Sequence, residues 1–231
     1  MVEEVRNIPR DFIFAIQDQV IPTRNHRRVL LKENIQDKCR RCGSKGETIQ
    51  HILNGCSELV AQAYKDRHDA VGKILHLELK KRIRGLQNDD TRYYEYSPEA
   101  VIDNKTHIIY WDRTILSDKE VCHNRPDITI FDKLQRKVQM IDVAVPSPAN
   151  MQTTYAEKIR RYGDLGRQLR RQWQAKEIEI ISIIISSNGL IHKELPTNLG
   201  KIGLPQYLTI KLQKAVILKT RSIVREFMGE L

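Results

Sequence analysis

Cys39-Arg40-Arg41-Cys42, then eight residues to His51 and four more to Cys56, is a compact set of three thiols and one imidazole. A Cys-x-x-Cys turn brings two thiolates to one ion, and Gly43 and Gly46 supply the freedom that such a turn needs. His51 and Cys56 complete a closed tetrahedral shell, so the expected ion is a structural Zn²⁺ with no open position for catalysis. A knuckle this small gathers little core of its own, and the metal then supplies folding energy. Cys122 has no partner in the set and reads as a free thiol. Thiols spent on a metal, in a chain large enough to bury a core, indicate a reducing compartment.

The second chemical cluster is acidic. Asp127 follows Arg125-Pro126, and Asp142 comes fifteen positions later in a strongly apolar run. Antiparallel strands over 127–132 and 138–145, joined by the polar stretch 133–137, would bring the two carboxylates together. Converging carboxylates suit a hard cation such as Mg²⁺ or Mn²⁺ and leave coordination positions for water and phosphate. A cation there polarises a phosphoryl oxygen and lowers the pKa of bound water. Asp142 is costly in an apolar strand unless it is paired or metal-bound. Its plainer alternative is a salt bridge to Arg125 or Lys158. Glu78 and Asp112 are weaker candidates for a further acid near the site.

These side chains need elements to hold them. Leu59, Ala63, Val71, Ile74, Leu75, Leu79, Ile83 and Leu86 mark one stripe of a helix over 57–86. A loop over 88–98 leads into strand-like runs at 107–111, 127–132 and 138–145. A helix over 152–173 and a buried β-branched strand at 178–186 follow, and a last helix spans 207–228. That order gives an α/β core with a central mixed β-sheet flanked by helices. The chain divides into a basic N-terminal segment with the knuckle (1–57), a core (58–199) and a C-terminal helical extension (200–231).

Charge narrows the partner class. The 39 Lys and Arg against 29 Asp and Glu leave a formal net charge of +10 in 231 residues. Such an excess suits a polyanion, because neutralised phosphates release condensed counterions. On the helix over 152–173, Lys158, Arg160, Arg161, Arg167, Arg170 and Arg171 outnumber Glu157 and Asp164, so this helix is expected to track a phosphate backbone. Arg125, Arg160, Arg161 and Tyr162 are the candidate DNA contacts. No apolar run has membrane-spanning length, which argues against a membrane partner.

The order Arg125-Pro126-Asp127-Ile128, Ile141-Asp142-Val143-Ala144-Val145-Pro146 and Glu157-Lys158-Ile159-Arg160-Arg161-Tyr162 resembles the restriction-like PD-(D/E)xK endonuclease region of site-specific non-LTR retrotransposons. The upstream Cys39, Cys42, His51, Cys56 knuckle, the helix with Arg67-His68, and Tyr110-Trp111-Asp112 extend the likeness to nearly the whole chain. One departure stands out: the second position after Asp142, where the pattern has lysine, is Ala144. Lys158, with Tyr155 and Tyr162 on its helix face, is the candidate replacement.

The resemblance implies a restriction-endonuclease-like core, similar to archaeal Holliday-junction resolvases. It implies Asp127 and Asp142 as catalytic metal-binding acids and Lys158 as the displaced lysine. It further implies nicking of double-stranded or branched chromosomal DNA in the nucleus, leaving a 3′-hydroxyl that primes reverse transcription. Element RNA and a reverse transcriptase region of the same polypeptide are then expected partners. Ala144 leaves a second class open, a catalytically inactive nucleic-acid binder of the same fold. A third, a zinc-dependent protein-interaction module, would leave the charge incidental.

Overall fold

Helical and strand-forming stretches alternate as the apolar periodicity requires, and the computed structural model describes them over residues 10–86 and 89–229. Residues 1–9 of the expected basic segment, and Asn88 at the start of the expected loop, lie outside the described residues. The N-terminal part holds α1 (Arg10–Gln17), α2 (Arg24–Val29) and α3 (Ile49–Asn54). The short α4 (Ser57–Leu59) and a π-helical turn (Val60–Tyr64) lead into the long α5 (Lys65–Arg84). Strands β1 (Val101–Asp103), β2 (His107–Trp111), β3 (Ile128–Asp132) and β4 (Lys137–Ala144) come next. They are followed by α6 (Met151–Arg161), α7 (Gly163–Gln172), β5 (Glu177–Ile184), α8 (Leu195–Lys201) and α9 (Leu208–Met228).

The five strands form one sheet in the order β1-β2-β3-β4-β5. The first three neighbour pairs are antiparallel, and β4 and β5 run parallel through the α6–α7 crossover. The sheet is therefore mixed and flanked by helices, as expected. The β3–β4 turn is set by Asp132, whose Oδ1 accepts the N–H groups of Leu134 and Gln135, both at 2.9 Å. Lys137 belongs to β4 and not to the turn.

Alternation along the strands divides their side chains between two layers. Ile128, Ile130, Ile141, Val143, Ile181 and Ile183 face α5, α8 and α9, meeting Val71, Ile74, Leu75, Leu199, Leu212 and Val216. Val138 and Met140 face the opposite way, against Tyr162, Leu165 and Leu169. Within the expected C-terminal extension, of which 230–231 lie outside the described residues, Leu204, Leu208, Leu212, Ala215 and Val216 belong to the main core. The knuckle packs on the same helix in a cluster of its own, where Cys39, Ile52 and Cys56 meet Ile223 and Phe227 of α9.

Two contacts fix α5. Arg67 is buried, donating to the Leu53 carbonyl at 2.7 Å and to Thr220 Oγ1 at 3.2 Å, which ties the helix to α3 and α9. At Gly72 the helix comes so near β2 that a Cβ would lie 2.7 Å from Trp111 Cη2. Among the described residues, no helix is long and apolar enough to cross a membrane.

Candidate functional site

The knuckle is assembled by local bonds. Cys39 N–H donates to the Lys45 carbonyl at 2.8 Å, and Gly43, at φ +66°, donates to the Cys39 carbonyl at 2.9 Å. Thr48 caps α3 by accepting the His51 N–H at 3.1 Å, which sets His51 on the first turn. The Tyr64 hydroxyl accepts the Cys56 N–H at 3.1 Å and lies 2.6 Å from the Ile52 carbonyl, joining the two ends of the loop. The ligand atoms of Cys39, Cys42, His51 and Cys56 lie within 4.8 Å of one another. Cys39 Sγ and Cys56 Sγ are 3.9 Å apart, and Cys42 Sγ is 3.3 Å from His51 Nε2. Metal–sulfur bonds of about 2.3 Å at tetrahedral angles require sulfurs about 3.8 Å apart. The three cysteines and the histidine therefore fit a structural zinc ion.

The acidic pair is set by the β3–β4 register. Ile128 pairs with Ile141, so Asp127 and Asp142 fall opposite each other just beyond the last paired rung. Pro126 has no N–H with which to extend the ladder. The Val143 N–H is taken instead by Asp127 Oδ2 at 2.6 Å. Asp142 shares its face with Val138 and Met140, so it points into the α6–α7 layer and is buried. Lys158 of α6 brings Nζ to 2.5 Å from Asp142 Oδ2, and the Tyr162 hydroxyl donates to Oδ1 at 2.9 Å. The salt bridge from Asp142 to Lys158, one of the two that the sequence left open, is thus formed from the crossover helix.

Tyr162 reaches that point because the expected helix over 152–173 is broken there. Tyr162, at φ −97° and ψ 10°, ends α6, and α7 restarts at Gly163. Expected at the nucleic-acid surface, Tyr162 is instead only 3 % exposed, and its hydroxyl is engaged by Asp142 and the Arg125 carbonyl. Burial, then the charge of Asp142, pushes its phenol above the usual range. Arg160 and Arg161 are exposed on the outer face of α6, open to a polyanion. Arg125 is exposed too, paired through Nε and a terminal nitrogen with both Asp112 oxygens at 2.7 Å. Glu78 belongs elsewhere, bound to Lys211 of α9 at 2.8 Å.

One residue near the acidic pair is named in the sequence only as part of the likeness, with no role. His68 of α5 places Nε2 3.2 Å from Asp127 Oδ2 and Nδ1 3.0 Å from Asp69 Oδ1. Burial opposes its charge, but the bonds to Asp127 and Asp69 prevail and raise the imidazole to about 10. The available signal was phase: His68 stands three residues before Val71 and seven before Leu75, on the buried stripe. The Asp142 carboxyl is held above its ordinary value, first by burial and then by the charge of Asp127, with Lys158 and Tyr162 pulling it back.

No family model matches the chain. Over 200 residues, 85% of its length, it is 22% identical to the "Retrovirus-related Pol polyprotein from type-1 retrotransposable element R2" of Bradysia coprophila. The chain is distantly similar to a retrotransposon polyprotein. It spans about a fifth of that relative's length. The similarity supports a relation to the non-LTR retrotransposons and agrees with the Cys39, Cys42, His51, Cys56 cluster.

Oxygens at the acidic pair could hold a divalent cation. Both donors that reach Asp127 fall on Oδ2, and among the described residues nothing donates to Oδ1. Ser182, the β5 register partner of Asp142, has a buried hydroxyl with no partner among the described residues. Two hard oxygens without protein partners, beside a second carboxylate, are a donor set suited to Mg²⁺ or Mn²⁺.

Proposed function

We propose that this chain is a divalent-metal-dependent DNA endonuclease of restriction-like architecture. In this reading it nicks target DNA to leave a 3′-hydroxyl that primes reverse transcription during retrotransposon integration. The observation that carries the reading is the convergence of Asp127 and Asp142 at the end of the β3–β4 ladder, with Lys158 Nζ 2.5 Å from Asp142. Two strand-borne carboxylates and one amine are the minimal set for metal-assisted phosphodiester hydrolysis.

Asp127 and Asp142 would hold Mg²⁺ or Mn²⁺, which would supply Lewis-acid polarisation of the phosphate and acidification of its water. Lys158 balances the Asp142 charge and presents an ammonium where negative charge develops on the phosphoryl oxygens. Tyr162 keeps the Asp142 carboxylate in one orientation by donating to Oδ1. Arg160 and Arg161 would hold the DNA backbone, and Arg125 would join them by exchanging Asp112 for phosphate. Branched or double-stranded DNA in the nucleus is the proposed substrate. Element RNA and a reverse transcriptase region of the same polypeptide are the proposed partners.

A plasmid-nicking assay with Mg²⁺ or Mn²⁺, comparing the wild type with Asp142→Ala, tests this. Metal-dependent nicking that disappears in the variant while DNA binding persists upholds the endonuclease. Folded, zinc-loaded wild type that binds DNA yet cuts no plasmid, branched or nicked substrate would establish an inactive binder of the same fold.

A further inference from the structure

We propose that His68, oriented by Asp69, is a positioning residue that turns the Asp127 carboxylate toward the cation site. This inference rests on the metal-dependent reading above. Asp127 lies past the last strand rung and is half-buried, so the sheet alone does not dictate its side-chain orientation. Two protein donors converge on one of its oxygens: the Val143 N–H at 2.6 Å and His68 Nε2 at 3.2 Å. Saturating Oδ2 leaves Oδ1 as the oxygen that a cation can take. Hydrogen bonds behind a metal-binding carboxylate fix its geometry in this way, and losing them weakens metal affinity by about 10–100-fold.

The imidazole is itself held. Asp69 Oδ1, 3.0 Å from Nδ1, sets the ring plane so that Nε2 points at Asp127. Helix α5 is anchored one residue away by the buried Arg67, whose guanidinium bonds reach α3 and α9. The Gly72–Trp111 contact clamps the same helix against β2. The relay Asp69–His68–Asp127 thus joins the site to a rigid helix on the far layer of the sheet. Lys158 and Tyr162 hold Asp142 from the near layer. Each acid is fixed from its own side, and a role confined to packing α5 would not require both ring nitrogens to face carboxylates.

The test uses the full zinc-loaded chain and Mn²⁺ binding measured by electron paramagnetic resonance, beside nicking as a function of Mn²⁺ concentration. The variants are His68→Ala, His68→Gln, Asp69→Asn and, as control, Asp142→Asn. His68→Ala should weaken Mn²⁺ binding about 10–100-fold and raise the Mn²⁺ needed for half-maximal nicking by the same factor. The nicking rate at saturating Mn²⁺ should change less. His68→Gln, which keeps an N–H donor, should recover part of the affinity, and Asp69→Asn should fall between wild type and His68→Ala.

Wild-type Mn²⁺ affinity in folded His68→Ala overturns the positioning role while leaving the endonuclease intact. If His68→Ala does not fold, unchanged affinity in both His68→Gln and Asp69→Asn overturns it equally. Wild-type Mn²⁺ binding that is indifferent to Asp142→Asn would instead remove the cation site, and the relay with it.

Discussion

Lys158→Met offers the most direct probe of the site, because it removes the ammonium and keeps the apolar stem. Asp142 has only 3 % of its side chain exposed, and Lys158 only 16 %. Breaking a pair this deep leaves an uncompensated carboxylate, at a cost of about 3–5 kcal/mol. At about 2–4 °C per kcal/mol for a chain of this size, the melting temperature near pH 7.5 should fall by roughly 10 °C. Burial and the charge of Asp127 already raise the Asp142 carboxyl above its unfolded value. A raised carboxyl contributes fully to stability only below its unfolded pKa of about 3.9 and loses that contribution as pH rises through the folded value. Removing Lys158 raises it further, so the penalty should be smaller at pH 5 than at pH 7.5. A cation held by Asp127 and Asp142 would take over the neutralising role. Mn²⁺ at 100 times its dissociation constant should return about 2.7 kcal/mol. The assay is paired thermal melts of wild type and variant at both pH values, with and without Mn²⁺. A variant that melts with the wild type at pH 7.5 refutes the claim that Lys158 neutralises Asp142.

Three further outcomes follow from the geometry. One zinc per chain is expected by colorimetric release, and stripping it should lower the melting temperature and expose residues 39–56 to protease, because Cys39 and Cys56 pack on Ile223 and Phe227; a zinc-free chain that melts unchanged would show that the knuckle stands without metal. Arg160 and Arg161 are exposed, so replacing both by glutamate should leave circular dichroism intact, weaken DNA binding and reduce the log–log salt slope by about 2. An unchanged slope would take the phosphate backbone away from this helix face. Gly72→Ala should cost about 1–3 kcal/mol in urea unfolding, since its Cβ would sit 2.7 Å from the Trp111 ring. No loss of stability would mean that α5 and β2 separate freely, contrary to the anchoring described for His68.

Local spacing determined much of what this chain is. The Cys-x-x-Cys turn with His51 and Cys56 states its ligands within eighteen residues, and the structure brings all four together. The apolar stripe of α5, the β-branched run of β5 and the polar turn between β3 and β4 were legible for the same reason. Periodicity and turn chemistry act over a few residues. The strand pairing that makes Asp127 and Asp142 neighbours was inferable from that short turn. Short elements without such a signal, β1 and α8, were not.

Tertiary structure decided the rest. Lys158 and Ala144 are equally plain in the sequence, but only the α6 crossover over the parallel β4–β5 pair shows that the amine reaches Asp142. The break at Tyr162 was foreshadowed by Gly163, yet its consequence, a hydroxyl aimed at Asp142, depends on α7 packing under Met140. His68 meets Asp127 across 59 positions of chain, and the knuckle meets α9 across some 170. A contact of that separation exists only once the sheet and both helical layers are in place, because it is the packed core that offsets the entropy of holding such distant groups together.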